Sequence, residues 1–504
     1  MNSTGITRLR RNVISNALGT IAPALAWILV VPILVHSLGE QNYGVFTIAI
    51  SFSGILGFLE LGLTSAATKY IAEVETRTNT ERLEKIISNN LTLYLAIGVV
   101  VTSLCFLFAP QIATLLFRDS GLDARSLNLL VQLIGVILSL TLVKNALASV
   151  LMGFQRYDSY NTIQIGYAIV LALVQGLIAA NGGQVVAVMA GTVAVILGGI
   201  TGFLVVIHRL VPNVRLLRLP DRYYMRLLFS FGMYMMVINV AATFLFNADK
   251  IVIGQILGPE SVTYYAIPTQ VTLKIHNGLA VFVSFIFPLA SEVQSIGDSQ
   301  TIKRIFLTGM RYITFLDGLV MALLGIFGRE FLSLWIDKAF AAQSAPILTL
   351  TTLGYLLFAV SIIPYHMLMG LGFPRQLAII EILTGLSVIV CLSIGLTTRT
   401  LIGGSFGALV GMGSMVAFPW YLQRKLGISW KTALSQGYGR NLVCAILGVA
   451  IGSQLPGLPE RSVFAVVFVL AMLFLGNIRL DDWRALLRSW QRTTSQIFGM
   501  ARSK

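Results

Sequence analysis

Charge is what this chain has least of. Only 11% of its 504 residues are Asp, Glu, Lys or Arg, while 56% are hydrophobic and the mean hydropathy is +0.82. Soluble domains carry about 25% charged residues, so this composition excludes a water-soluble globular protein. Cysteine is nearly absent. Cys105, Cys391 and Cys444 fall in three separate apolar runs without metal-ligand spacing, which excludes a disulfide framework and a cysteine metal centre. A Walker A loop, an H-E-x-x-H pair and a dinucleotide-binding glycine pattern are all missing, so the chain is not expected to be an enzyme. Without an ATP site, any transport must draw on an ion gradient, the membrane potential or downhill removal of the cargo. Acid is scarcer than base, with 21 Asp and Glu against 36 Lys and Arg.

A repeated frame is what the chain does have. LGEQNYGVFTIA begins at Leu38 and LGPESVTYYAIP begins at Leu257, an offset of 219. Each reads as a helix exit, a Leu-Gly turn and an aromatic helix entry. At the same offset Ala72-Glu73 meets Ser291-Glu292, while Leu151-Met152-Gly153 recurs as Leu368-Met369-Gly370 and Gly182-Gly183 as Gly403-Gly404. Four matches in order at nearly one spacing indicate an internal repeat, a signature of transporters that bind cargo between repeats.

Apolar runs near the ~20 residues that cross hydrocarbon predict fourteen spans in an all-α polytopic fold. They lie near 14–37, 43–66, 90–110, 127–151, 161–181, 184–207, 230–257, 262–288, 308–328, 344–369, 375–397, 402–422, 440–455 and 461–478. Six spans per repeat is an even number, so the two copies are parallel, with a pseudo-two-fold axis along the membrane normal. The expected organisation is an N-lobe at 1–207, a cytoplasmic link at 208–229, a C-lobe at 230–426, two additional spans within 427–478 and a cytoplasmic amphipathic tail at 479–504. With the N-terminus inside, 27 of the 36 Lys and Arg lie on the cytoplasmic side, six outside and three within spans. That is a strong positive-inside bias, and it puts both termini in the cytoplasm. It also accounts for the net charge of +15 without nucleic acid, because the basic residues line one membrane face. The run behind Thr7–Arg11 is too long for a signal peptide and reads as an uncleaved first helix. The segment 80–88 and the tail around Trp483 and Trp490 have amphipathic spacing and are expected on the membrane surface. The basic link from His208 to Arg226 reads as a solvated loop.

Ionisable residues within spans are costly and usually face a cavity or a partner. The deepest are Asp249 and Lys250 in helix 7, Lys274 and His276 in helix 8, and Asp317 in helix 9. Glu60, Lys144, Glu381 and His366 lie nearer the cytoplasmic side. Lys274 is expected about 12 residues from either end of its helix. Helix neighbours point about 100° apart, so Asp249 and Lys250 are expected to face different surroundings. Two readings stay open for the whole set, a polar cavity between lobes and interhelical salt bridges.

The frame also resembles a known family. Its carriers are Arg8 and Asn12 leading to Gly19, Leu38-Gly39 with Tyr43-Gly44, and Met152-Gly153-Phe154-Gln155-Arg156-Tyr157. Asn247-Ala248-Asp249-Lys250 with Ile253-Gly254 and Leu257-Gly258 follow. Over roughly residues 8–426 the chain resembles the polysaccharide-transporter branch of the multidrug/oligosaccharidyl-lipid/polysaccharide flippase superfamily, most closely the Wzx-type flippases. The resemblance implies a two-lobe alternating-access transporter of the bacterial inner membrane, without a cofactor, moving an undecaprenyl-pyrophosphate-linked glycan. It also implies a coupling ion (proton or sodium) or the membrane potential, contacts with membrane lipids and a polysaccharide polymerase as partner. Lys274, Lys250 and Lys144 are the candidate diphosphate ligands. Asp249, Asp317, Glu60, Glu381, His276 and His366 are the candidate cavity or coupling groups. Tyr264, Tyr265, Asn239, Asn247, Gln255 and Gln270 are available for sugars. Two departures define the alternatives. Helix 1 lacks the carboxylate usual in proton-coupled drug extruders, and the deep cations are lysines, whereas lipid II flippases carry arginines in the cavity. A lipid II flippase, a cation-coupled drug antiporter and a structural partner of a polymerase remain the other readings.

Overall fold

The computed structural model describes residues 3–60, 62–74, 80–117, 119–212, 214–281, 283 and 286–475; within these, side chains are described from Gly19 onward, except at 231, 234–246, 288 and 437. The described residues are helical, with no strand. In chain order the first half contains α1 (Ser3–Leu38), α2 (Glu40–Leu56), α3 (Leu63–Glu73), α4 (Thr80–Leu107), α5 (Ala109–Leu116), α6 (Ala124–Gly153), α7 (Tyr157–Ala180) and α8 (Val185–Leu210). The second contains α9 (Arg222–Leu257), α10 (Pro259–Val281), α11 (Ile286–Ile296), α12 (Ser299–Ile326), α13 (Gly328–Trp335), α14 (Lys338–Gly370), α15 (Pro374–Gly395), α16 (Leu401–Met412) and α17 (Ala417–Leu426). The single turn α18 (Trp430–Thr432), then α19 (Gly439–Gly452) and α20 (Leu458–Leu475), follow.

The repeat holds element by element. α1 and α9 both have 36 residues, α4 and α12 both have 28, and α5 and α13 both have 8. Each pair starts 219 residues apart. Among the described residues eleven helices are long and apolar enough to cross a membrane, and the chain is a multi-pass membrane protein. The other three expected spans coincide with α9, α10 and the shorter apolar α19. Span 43–66 is interrupted. α2 gives way to a 3-10 turn at Gly57–Glu60, and Gly62 takes a positive φ of 64° before α3. The repeat-related span is likewise divided, into α10 and α11.

Two glycines account for the repeated Leu-Gly turn. Gly39 has φ 78° and Gly258 has φ 86°, where a Cβ would be strained. The turns they form touch one another. A Cβ on Gly44 would overlap the Pro259 carbonyl, and Thr263 Oγ1 donates to the Glu40 carbonyl at 2.5 Å. Position 263 is the repeat equivalent of 44, and 40 that of 259, so the contact is reciprocal, as a pseudo-two-fold requires.

The chain forms two compact units, Arg10–Ala266 and, among the described residues, 267–475 with 3–9. In the first unit α9 packs on α2, α3 and α4. In the second unit α15 and α16 pack backbone to backbone. A Cβ on Gly407 would overlap the Cys391 carbonyl, and one on Gly411 would lie 2.5 Å from Val388 Cα. Small residues at this i, i+4 spacing let membrane helices approach closely. The string Gly403-Gly404-Ser405-Phe406-Gly407 has the letters of a hydrolase nucleophile elbow. Ser405, however, is buried within a continuous helix, where no strand-to-helix turn exposes it.

Two surface expectations change. Residues 80–88 are not a separate surface helix. They form the first turns of α4, with Leu83, Ile86 and Ile87 buried in protein. The basic link is not simply solvated either. Buried Glu84 accepts from the Arg215 backbone N–H at 3.0 Å and pairs with Arg218 at 2.6 Å. Ser88 accepts from Arg218 N–H at 2.6 Å, and Asn89 from Asp221 N–H at 2.8 Å. One face of α4 therefore straps down the segment before α9. The expected tail helix lies outside the described residues.

Candidate functional site

In the first unit Glu60 and Lys144 find partners on other elements. Glu60 accepts from Asn145 Nδ2 at 3.3 Å, which joins the 3-10 turn to α6. Next to it Tyr94 shares a 2.8 Å hydrogen bond with Thr64. Lys144 is 7% exposed, and its ammonium sits 4.0 Å from the centre of the Tyr167 ring. A cation over an aromatic face in a dry setting gains about 2 kcal/mol, which helps an otherwise costly charge stay in place.

Asp249 and Lys250 correct the expectation from helical geometry. Lys250 Nζ lies 2.8 Å from Asp249 Oδ1, and that same oxygen accepts the Lys250 backbone N–H at 2.9 Å. The Cβ directions diverge, but the four-carbon lysine stem curls back to its neighbour. Both residues are buried. In this conformation Lys250 is neutralised by Asp249.

In the second unit His276 and Asp317 meet across α10 and α12, with Nδ1 3.4 Å from Oδ1. Asp317 is fully buried and His276 is 1% exposed. The imidazole packs edge-on against Tyr355 and Phe358 of α14, at 5.4 and 4.5 Å between centroids. Neither Asp317 oxygen accepts a hydrogen bond from a described residue. The pair borders an apolar core built from Phe315, Met321 and Tyr355 with α19 and α20 residues.

Lys274 precedes His276 by two residues and is half-buried. Since α10 ends at Val281, Lys274 lies 7 residues from that end of α10, and the mid-helix placement expected from sequence does not hold. His366 packs edge-on against Tyr365 at 5.5 Å. Glu381 is half-buried on α15, with its Oε2 lacking a hydrogen bond from any described residue. The site candidates thus form two sets: Glu60, Lys144, Asp249 and Lys250 in one unit, and Lys274, His276, Asp317, His366 and Glu381 in the other.

Among the sugar candidates, Tyr264 donates to Glu40 at 2.7 Å and to Glu260 at 3.3 Å, while Tyr265 is 2% exposed and offers no open face. Asn247 packs against Gly54, and the side chain of Asn239 lies outside the described residues. An apolar groove of about 780 Å³ between α19 and α20 was not anticipated; Val443, Leu447, Phe464 and Val467 are among its walls. Its signal was present in the sequence, as outward Leu and Val at helical spacing on two helices that have no repeat partner.

No group of three or more His, Cys, Asp and Glu side chains could hold a metal ion among the described residues. Comparison with known proteins agrees with the fold. The chain is 24% identical over 373 residues to a Shigella flexneri protein named "Putative O-antigen transporter", covering 74% of this chain and 87% of that one. It is 22% identical to an uncharacterised membrane protein of Methanocaldococcus jannaschii, over 68% of this chain and 69% of that protein. Its fold is similar to that of the lipid II flippase MurJ in an inward closed conformation, with TM-score 0.70, 16% identity and coverage of 93% and 99%. It is also similar to an inward-facing multidrug resistance MATE family transporter, with TM-score 0.66, 15% identity and coverage of 81% and 94%. Residues 9–294, more than half of the chain, match the family described as Polysaccharide biosynthesis protein, and the chain belongs to that family.

Proposed function

We propose that this protein is a flippase that carries an undecaprenyl-pyrophosphate-linked oligosaccharide, an O-antigen or related repeat unit, across the bacterial inner membrane by alternating access. One observation carries the reading. A chain of the polysaccharide biosynthesis family repeats its helices at a 219-residue offset and keeps lysines inside them. A diphosphate cannot cross hydrocarbon bare, and intramembrane cations lower that barrier. Lys274 and Lys144 are the primary ligands in this reading. Lys250 contributes once Asp249 is displaced. The tail stays in lipid, with the α19–α20 groove as an apolar surface for it.

Deletion of the gene should remove surface polysaccharide and leave lipid-linked oligosaccharide on the cytoplasmic leaflet. Unchanged surface polysaccharide with altered drug sensitivity would favour the antiporter reading. Arrested peptidoglycan synthesis would favour lipid II. A polymerase that co-purifies with the protein would add the proposed partner.

The 27-to-6 distribution of basic residues supports cytoplasmic termini. A reporter active only in the periplasm should work when fused near Asn181 and fail after Lys504. The opposite pattern would overturn this orientation.

A further inference from the structure

A polar cavity lies apart from the intramembrane charges, in the unit 267–475. One face of α12 carries Gln300, Lys303, Arg304, Leu307, Thr308 and Arg311, the spacing of a single helical stripe. The opposite face, with Ile302, Ile305, Phe306 and Met310, is buried in the core. The stripe forms one wall of a pocket of about 540 Å³, and the segment 427–436 forms the other, with Ser429, Thr432 and Gln436. Arg311 Nε donates to the Gln436 carbonyl at 3.0 Å, and Asn441 Nδ2 donates to the Arg311 carbonyl at 2.9 Å. These bonds tie Arg311 to the facing wall and to α19. Three cations and three hydroxyls line the space, and among the described residues no carboxylate does. The nearby Asp298 is engaged elsewhere. It caps α12 through Gln300 N–H and Thr301 N–H, and these bonds with the Thr301 hydroxyl hold its carboxyl below the usual range.

We propose that this pocket binds a phosphate-bearing anion, as a ligand distinct from the transported cargo. Arginine presents a planar fork that matches phosphate oxygens, and lysine adds a point charge. Lys303 and Arg311 are eight residues apart, about 12 Å along the helix axis. The pocket therefore follows a ligand down from the surface into the headgroup layer. Basic pockets between membrane helices on the cytoplasmic side bind anionic headgroups, and that placement rests on the orientation proposed above. The phosphate comes from an anionic bilayer lipid or from a free diphosphate in the cytosol.

The test uses the purified full chain in neutral detergent, with native mass spectrometry of added phosphatidylglycerol, cardiolipin, phosphatidylcholine and inorganic pyrophosphate. An anionic lipid or pyrophosphate should be retained at least tenfold over phosphatidylcholine. K303Q/R304Q should lose that preference, while R424Q, on an exposed arginine stacked on Trp420 at 4.3 Å, should keep it. Lipid retention that pyrophosphate does not displace assigns the headgroup; displacement assigns the free diphosphate. If the double variant does not fold, K303Q alone carries the same comparison. Equal retention of phosphatidylcholine, or undiminished anion binding in the folded variants, would overturn the site. Because binding is read without any flipping assay, the outcome is separate from the fate of the transport reading.

Discussion

Replacing Lys274 by Ala or Gln is expected to abolish surface polysaccharide while the amount of protein in the membrane stays normal. The argument is electrostatic. Lys274 is a half-buried ammonium on a helix within an otherwise apolar stretch. An ionisable side chain inside a membrane helix is costly and usually faces a partner. In this reading the partner of Lys274 is the diphosphate as it crosses the hydrocarbon. Loss of the contact should slow flipping by ~100-fold or more, about 2.7 kcal/mol in barrier height. Lys274→Arg should retain part of the activity, since charge matters more than geometry at a single contact. The competing account is a salt bridge that only holds helices together. Asp249 faces Lys250 and Asp317 faces His276, so the decisive combination is Lys274→Gln with Asp317→Asn. If Lys274→Gln lowers the thermal stability of the protein and the double variant regains it, the salt-bridge account holds and the diphosphate role is wrong. Lost flipping in Lys274→Gln at wild-type stability supports the diphosphate role.

The architecture was legible because membrane spans and turns leave strong local signals. The Leu-Gly turns at 38–39 and 257–258 could be matched because each needs a glycine at positive φ. What sequence reading missed was short or non-local. The 8-residue α5 and α13 are too brief to register as spans, although their 219-residue spacing was there to be found. The break near Gly62 was hidden inside a continuous apolar run. Glu84 looked like one acid in a charged surface segment, and only packing reveals that it holds Arg215 and Arg218. The ionisable residues themselves were easy to single out. Their pairing was not, since His276 and Asp317 are far apart in sequence and no periodicity links α10 to α12. Lys250 shows the opposite failure. Ideal Cβ directions separated it from Asp249, and a flexible stem reunited them.

Asp317→Asn is expected to uncouple transport from the proton gradient. The wild-type pair places an imidazole 3.4 Å from a fully buried carboxylate, enclosed by Tyr355 and Phe358. The contact is sealed from solvent in this conformation, and alternating access would open it to water. Among the acids considered, Asp317 is the strongest candidate because neither oxygen has a described hydrogen-bond donor. Glu60, by contrast, is already held by Asn145. In vesicles carrying the wild-type protein, an imposed pH gradient should change the flipping rate. Asp317→Asn should lower that rate about tenfold, equivalent to ~1.4 kcal/mol, and remove the response to the gradient. His276→Gln should weaken the response, and Glu60→Gln should leave it intact. Glu381→Gln is the informative comparison, because Glu381 also has an oxygen without a described donor. If the response vanishes with Glu381→Gln and survives Asp317→Asn, coupling belongs to α15. If it survives every one of these substitutions, the proton is not the coupling ion, and sodium or the membrane potential takes its place.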